Sequence, residues 1–355
     1  MSTYKCLEAR SRELQRLFLK LPARLYDDDC PQDIKVEKQL LRGAHPLSTC
    51  FKVIPFVTLV PTGEVVCRCM LTYYPDDETA YLGFFEACDD PDAVQTMLRC
   101  VEDRAAADGK RKVMGPVDAS IYINYRFKID RFDKTYTGEP YNKPYYPALW
   151  EKCGYSVCDR YCSNQLRRVE EADLDPRLSR IYDRFTARGY RFLTPKPRDF
   201  DRHLAEICDS MMRLYSGFTG YKQLSRAQFI SLFSYLKYVL NFDMVKLVYK
   251  EEKLKAFAIC LPNYGVLTRG RITPSKLLKI LKVRARPQEY IILYVGAEPS
   301  ASGLGGALVH EIRNSLKENG CTSIGALIKE GNVTGEMYDF LYTDRFRYVL
   351  LSKEI

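Results

Sequence analysis

Tyr290-Ile-Ile-Leu-Tyr-Val-Gly-Ala297 runs directly into Glu298-Pro-Ser-Ala-Ser-Gly-Leu-Gly-Gly306, and a patterned apolar stretch follows. The first segment is apolar and β-rich without polar alternation, which predicts a strand buried on both faces. Leu304, Leu308, Ile312 and Leu316 fall on one face at helical spacing, and Asn319-Gly320 supplies the stop. Beyond them, Thr322–Ile328 predicts a second strand, 329–332 a turn, Val333–Leu341 a short helix and Tyr348–Leu351 a last strand. The order strand, helix, strand, helix, strand predicts an α/β unit with its helices laid on a sheet.

Working outward, the N-terminal half carries the same order without obvious residue identity. Tyr81–Ala87 predicts a strand, Cys88–Asp92 a loop, and Val94, Met97, Leu98, Val101 and Ala105 a helix face stopped at Asp108-Gly109. A short strand Lys112–Met114, a helix Tyr145–Cys153 and an aromatic strand Tyr155–Tyr161 complete it. This pattern predicts an internal duplication whose seam lies in the charged stretch Arg167–Pro176. The expected domains are 1–168 and 169–355, each a mixed, mostly antiparallel sheet flanked by helices. Helix Arg177–Arg188 bridges the seam.

Composition narrows the function classes. The first residues contain no uninterrupted apolar core such as a secretory signal needs, and charges break every apolar run well short of the ~20 residues a spanning helix requires. A cytoplasmic protein without membrane partners is the expectation. Thirteen cysteines without a signal segment fit a reducing compartment, and their spacings lack the paired Cys-x-x-Cys pattern of a zinc site, so no metal is expected. The net charge of +9 is spread along the chain. It favours anionic partners such as phosphorylated cofactors, whereas no nucleic-acid reading motif accompanies it.

The turn after the buried strand carries chemistry. Gly303, Gly305 and Gly306 let backbone N–H groups approach a phosphate at a helix N-terminus, where the helix dipole favours negative charge. Val295, Pro299, Gly303, Gly305 and the following amphipathic helix resemble the acyl-CoA signature of the GNAT acyltransferases. The resemblance implies a loop that cradles the CoA pyrophosphate, with Ser300, Ser302 and Gly306 in the same turn, and makes Asn332 the contact to the pantetheine arm. Ser300 stands where that family has Arg or Gln, so one side-chain contact is missing. Met114-Gly-Pro-Val117, Tyr141-Asn-Lys-Pro-Tyr-Tyr-Pro147 and Gly270-Arg-Ile-Thr-Pro274 further resemble uncharacterised bacterial tandem GNAT-like proteins, over nearly the whole chain. In the N-terminal half the matching loop contains Asp89, Asp90 and Asp92. Aspartates cap a helix but repel a pyrophosphate at the same place, which predicts a degenerate cofactor loop there and one donor site per chain.

The resemblance implies direct attack of an amine on the thioester of acetyl-CoA or a longer acyl-CoA, with a proton donor for the leaving thiolate. Tyr342 is the expected acid and Glu330 a base acting through water. His45, His203 and His310 have no Ser or Cys partner in a recognisable motif, so a triad is not supported. For the acceptor, Asn142, Tyr145 and Tyr146 are candidates to wall a pocket. Phe218 and Tyr221 of a glycine-punctuated aromatic loop are a second set, and Arg271 a cation for an anionic group. The leading expectation is an N-acyltransferase acting on a small-molecule amine, with an acyl carrier protein as an alternative donor partner. A Fem-type transferase using aminoacyl-tRNA and a non-catalytic GNAT-like binding protein are the competing classes.

Overall fold

The computed structural model describes residues 4–26, 32–270, 272–331 and 339–355. The chain forms two compact units, one of residues 1–161 with 269–271 and 347–355, the other of 162–268 with 272–346. Residues 162–168, on the N-terminal side of the expected 168/169 seam, thus cluster with the second unit, and the chain's last nine residues with the first.

The first unit runs β1 (Lys5–Glu8), α1 (Arg12–Tyr26), α2 (Ile34–Leu41), β2 (Lys52–Leu59), β3 (Val65–Tyr73), β4 (Thr79–Ala87), α3 (Pro91–Ala107), β5 (Lys112–Gly115), β6 (Phe127–Lys128), α4 (Tyr146–Lys152) and β7 (Ser156–Leu166, shared with the second unit from Cys162). Strands β1 to β4 pair antiparallel in sequence order, and β5 joins β4 in parallel. The α3 crossover allows that parallel join, because parallel neighbours need a long connection. Helix α3 begins where Asp90 accepts N–H bonds from Asp92 and Ala93 with Pro91 at its first position, a strong start signal. Its buried residues include Val94, Met97, Leu98, Val101 and Ala105, the face expected from the spacing. Trp150 of α4 is fully buried, edge-on to Phe85 and Phe127 at centroid distances of 5.3 and 5.1 Å. Such pairs add about 0.5–1.5 kcal/mol each beyond area burial.

The second unit repeats this order. It comprises α5 (Pro176–Ala187), β8 (Arg191–Leu193), α6 (Phe200–Leu214), α7 (Arg226–Phe233), α8 (Leu236–Val239), β9 (Val245–Lys250), β10 (Lys253–Pro262), α9 (Pro274–Ala285), β11 (Glu289–Ala297), α10 (Leu304–Asn319), β12 (Thr322–Lys329) and β13 (Tyr342–Glu354, shared with the first unit from Arg347). Strands β8 to β11 pair antiparallel in order, and β12 joins β11 in parallel. Helix α10 buries Leu304, Ala307, Leu308, Val309, Ile312 and Leu316 against Met244, Val248, Ala256, Ala258 and Tyr290. Two expectations change here. The final strand is 13 residues long, not the four of Tyr348–Leu351, and its last residues, Lys353 and Glu354 among them, pair with β5 in the first unit. Of the helix expected at Val333–Leu341, only Asp339–Leu341 lies within the described residues, as a 3-10 turn. Tyr342 is therefore the first residue of a strand.

Candidate functional site

In each unit the parallel pair opens into a wedge. β11 and β12 pair only from Glu289 opposite Thr322 to Ile292 opposite Gly325, yet both strands continue beyond, to Ala297 and Lys329. The divergence begins at a bulge. On the β10 side, Ile259 lies opposite Tyr294 and Cys260 opposite Ile292, leaving Leu293 without an opposite residue, and such an extra residue bends its strand. Leu293, Tyr294 and Val295 are only half-buried, whereas Tyr290, Ile291 and Ile292 are buried. Among the described residues, no strand pairs with β11 on the β12 side beyond Ile292.

The wedge leads to the N-terminus of α10. Gly303 caps it in the left-handed region, at φ 90°, where a side chain would be strained. A Cβ on Gly305 would meet nothing within 4 Å, while one on Gly306 would touch Leu178 and Ile181 of α5 at 3.4 and 3.5 Å. Gly306 thus serves helix packing, and Gly305 borders open space. Ser300, Ser302 and Gly303 are exposed. A cation that the sequence gave no reason to choose approaches from α5: Arg184, exposed, lies with Nη2 3.2 Å from where a Gly303 Cβ would be. Of the first-turn N–H groups, Leu304 donates to the Ala301 carbonyl at 2.9 Å and Gly306 to that of Gly303 at 3.0 Å, so the Gly305 N–H, the helix dipole and this guanidinium are what suit a polyanion.

The aromatic loop after α6 borders the same wedge. Tyr215 donates its hydroxyl to the Val295 carbonyl at 3.1 Å, stacks with Phe218 at 5.0 Å, and Lys329 at the end of β12 reaches the Thr219 hydroxyl at 3.3 Å. Tyr221 turns away and bonds the Met212 carbonyl. Tyr342 is half-buried at the start of β13. Burial holds its phenol above the usual range, partly offset by the Asn164 amide beside it. Asn164 is fully buried on β7 and accepts from Arg345 at 2.8 Å. Glu330 is exposed. Asn332 and Arg271 lie outside the described residues. Val295 and the 300–306 loop are thus brought together with Phe218.

The first unit's wedge is filled by its own chain. β4 and β5 pair only from Thr79 opposite Lys112 to Tyr81 opposite Met114. Val117 then donates to the Leu82 carbonyl at 2.8 Å, and Asp118 accepts from the Phe84 N–H. Gly83 is obligatory, since a Cβ there would lie 2.0 Å from the Val117 oxygen. Burial pushes the Asp118 carboxyl up to about 6 against the bonds from Phe84 and Asn124. At the N-terminus of α3, Asp90 occupies the first-turn N–H groups and takes the Tyr4 hydroxyl as well.

Asn142, Tyr145 and Tyr146, expected to wall a pocket, are structural in this unit. Asn142 accepts from the Lys128 N–H at 2.7 Å and donates to the carbonyls of Lys128 and Lys143, which leaves it no polar atom for a substrate. The Tyr145 hydroxyl bonds the Ala87 carbonyl at 2.8 Å. Tyr146 is fully buried, accepting from the Ala87 N–H and donating to Glu86 at 2.7 Å. Burial pushes Glu86 up to about 7, opposed by Arg68 nearby and by bonds from Tyr146 and Gln32. Arg68 itself pairs bidentately with Glu37 at 2.6 and 2.8 Å, both fully buried. Nothing local in the sequence marked this network, because its members come from α1, α2, β3, β4 and α4. Among the described residues no group of three His, Cys, Asp or Glu is placed to hold a metal.

No family model matches the chain. Over 215 residues it is 25% identical to protein YghO of Escherichia coli strain K12; the match takes in 58% of this chain and 54% of that protein, so it spans about half of YghO's length. Among solved structures, a tandem GNAT protein from the clavulanic acid biosynthesis pathway, determined without AcCoA, superposes with a TM-score of 0.50 at 13% identity, over 99% of this chain and 98% of that one. The glucosamine N-acetyltransferase region of a fungal multi-domain GH3 β-N-acetylglucosaminidase gives a TM-score of 0.51 at 12% identity, over 99% of this chain and 38% of that one. At such identities the likeness is one of fold. The chain has the GNAT fold, in the tandem form that the duplicated element order and paired wedges define, as its sequence leads one to expect.

Proposed function

We propose that the second unit binds a CoA thioester, acetyl-CoA or a longer acyl-CoA, in the wedge between β11 and β12, and transfers the acyl group to the amine of a small molecule. The observation that carries this reading is the contrast between the wedges: among the described residues nothing fills the one that ends at a glycine-capped helix N-terminus beside Arg184, and its counterpart is plugged and capped by Asp90. One donor site per chain follows. A carrier protein's phosphopantetheine thioester would use the same strand segment.

In this reading Gly303, Gly305 and the first turn of α10 hold the pyrophosphate, Arg184 supplies the charge that Ser300 lacks, and the edge of β11 beyond Ile292 pairs with pantetheine amides. Thioester aminolysis forms the C–N bond as the C–S bond breaks, so the thiolate needs a proton and the amine must lose one. Tyr342 suits the first task because a phenol is protonated at neutral pH, and burial raises its pKa further. Glu330, being exposed, takes up the amine's proton through water. Phe218 and Tyr215 form the apolar border over the reacting end.

The test is calorimetric titration of the chain with CoA and acyl-CoAs, followed by thiol release from acyl-CoA in the presence of an amine library. Binding plus amine-dependent release is the expected result. Absence of any CoA binding refutes the donor assignment, and binding without release for any amine identifies a non-catalytic ligand-binding protein.

A further inference from the structure

Where the first unit connects β3 to β4 with only Tyr74–Glu78, the second spends residues 263–288 between β10 and β11. These 26 residues hold seven Lys or Arg and no Asp or Glu. Their one helix, α9, starts at Thr273, whose hydroxyl accepts the Lys276 N–H at 3.3 Å, with Pro274 next. Ile280 alone of its residues is buried. Leu278 is 69% exposed, Leu277 49% and Leu281 47%. At 3.6 residues per turn these three share an arc of about 100°, Lys279 and Lys282 lie on the next arc, and Ile280 points to the other side. The helix is held in place at its far end, where Arg284 Nε donates to the Leu240 carbonyl at 3.0 Å, just beyond α8 with its exposed Tyr235 and Tyr238.

A helix kept for packing would turn its leucines inward, and one kept for solubility would carry none. We infer that α9 is a surface anchor for an anionic lipid bilayer, its leucines entering the boundary between headgroups and acyl chains and its lysines meeting lipid phosphates. The helix is about 18 Å long, suited to lying in the membrane plane, and no helix among the described residues is long and apolar enough to cross. Lysines beside leucines, with no acidic residue between 263 and 288, are the composition such an interface selects. An acidic protein partner would match the lysines but leave the leucine arc without a reason. The proposal does not depend on the donor assignment.

The experiment is flotation of the full chain with phosphatidylcholine vesicles, with and without phosphatidylglycerol, at low and at physiological salt. Binding that needs the anionic lipid and weakens with salt is expected. The K279Q/K282Q variant should partition about 25-fold more weakly, from roughly fivefold per lysine, and L277Q/L278Q/L281Q at least about tenfold more weakly. Because all five side chains are exposed, thermal melts of both variants should match the parent, which separates lost docking from lost folding. No binding to anionic vesicles, variants that float like the parent, or capture by an acidic acyl carrier protein without vesicle binding would each overturn the proposal.

Discussion

Replacing Gly305 by glutamate separates stability from ligand binding by sign. The residue is the second of α10, and its Cβ would project into open space with nothing within 4 Å. Folding should therefore gain: removing a helical glycine is worth about 0.5–1 kcal/mol, and a carboxylate in the first turn adds roughly 0.3–1 kcal/mol through the dipole. A bound pyrophosphate would suffer the opposite effect. A carboxylate about 4 Å from one phosphate charge costs about 4 kcal/mol at an effective dielectric of 20. Screening at this exposed loop brings that to roughly 2, and a second phosphate raises the loss to about 3–4 kcal/mol, or two to three powers of ten in Kd. Calorimetric titration with CoA, paired with a thermal melt, reads both quantities, and G305A shows what bulk alone does. A G305E chain that melts no lower than the parent yet binds CoA within threefold of it would refute the placement of the pyrophosphate at this turn.

Arg184→Gln should weaken CoA binding about five- to thirtyfold, more at low salt, with the melting temperature unchanged because the side chain is exposed. Tyr342→Phe should lower kcat by about 100-fold or more while CoA affinity holds; an unchanged kcat would remove Tyr342 from the chemistry. Gly83→Ala should cost the first unit about 3 kcal/mol or more in urea unfolding, since the atoms it strikes are backbone, and should leave CoA affinity in the second unit intact. Stability should fall as pH rises from about 4.5 to 7. Glu86 and Asp118 have folded pKa values raised to about 7 and about 6, so their contribution is whole below the unfolded carboxylate range and lost as the folded groups ionise. Urea titrations across pH should show Glu86→Gln removing about half of that slope, on the order of 3 kcal/mol; a slope of the opposite sign would contradict the buried network.

The parts of the fold readable in advance were those whose cause is local. β11 declared itself by an unbroken apolar run, α10 by its face and Gly320, and α3 by Asp90, Pro91 and its apolar spacing. β13 was underestimated because Asp344, Arg345 and Arg347 interrupt it. Arg345 and Arg347 are the outward residues of a period-two pattern whose inward partners are Phe346 and Tyr348, and Asp344 is a half-buried residue on the inward side. The tyrosines after Asn142 looked like a pocket wall because aromatics serve both packing and binding. Only the hydrogen bonds of Asn142, Tyr145 and Tyr146 to Lys128, Lys143, Glu86 and Ala87 assign them to packing. Arg184 and the contact of Tyr215 with Val295 were hidden for another reason, although Tyr215 opens the aromatic loop that the sequence marks. Each side chain comes to the loop or to Val295 from an element distant in sequence, and no spacing rule connects them.

The contrast between the wedges reduces to one register position. β4 and β11 are both nine residues long and both begin their parallel pairing at the first residue, Thr79 and Glu289. Counted from there, Gly83 corresponds to Leu293. In the first unit the missing side chain lets the Val117 carbonyl lie against the strand, and Val117 and Asp118 then take the backbone groups of Leu82 and Phe84. A leucine at that position cannot admit a backbone so close, because a β-carbon alone would already fall far inside van der Waals contact. Among the described residues the second unit's strand edge is thus not filled as in the first unit, and in the proposed reading it takes something narrower and more adaptable than a folded chain. An extended amide-bearing arm such as pantetheine satisfies both requirements, which ties the proposed donor site to a sterically determined difference between two copies of one fold.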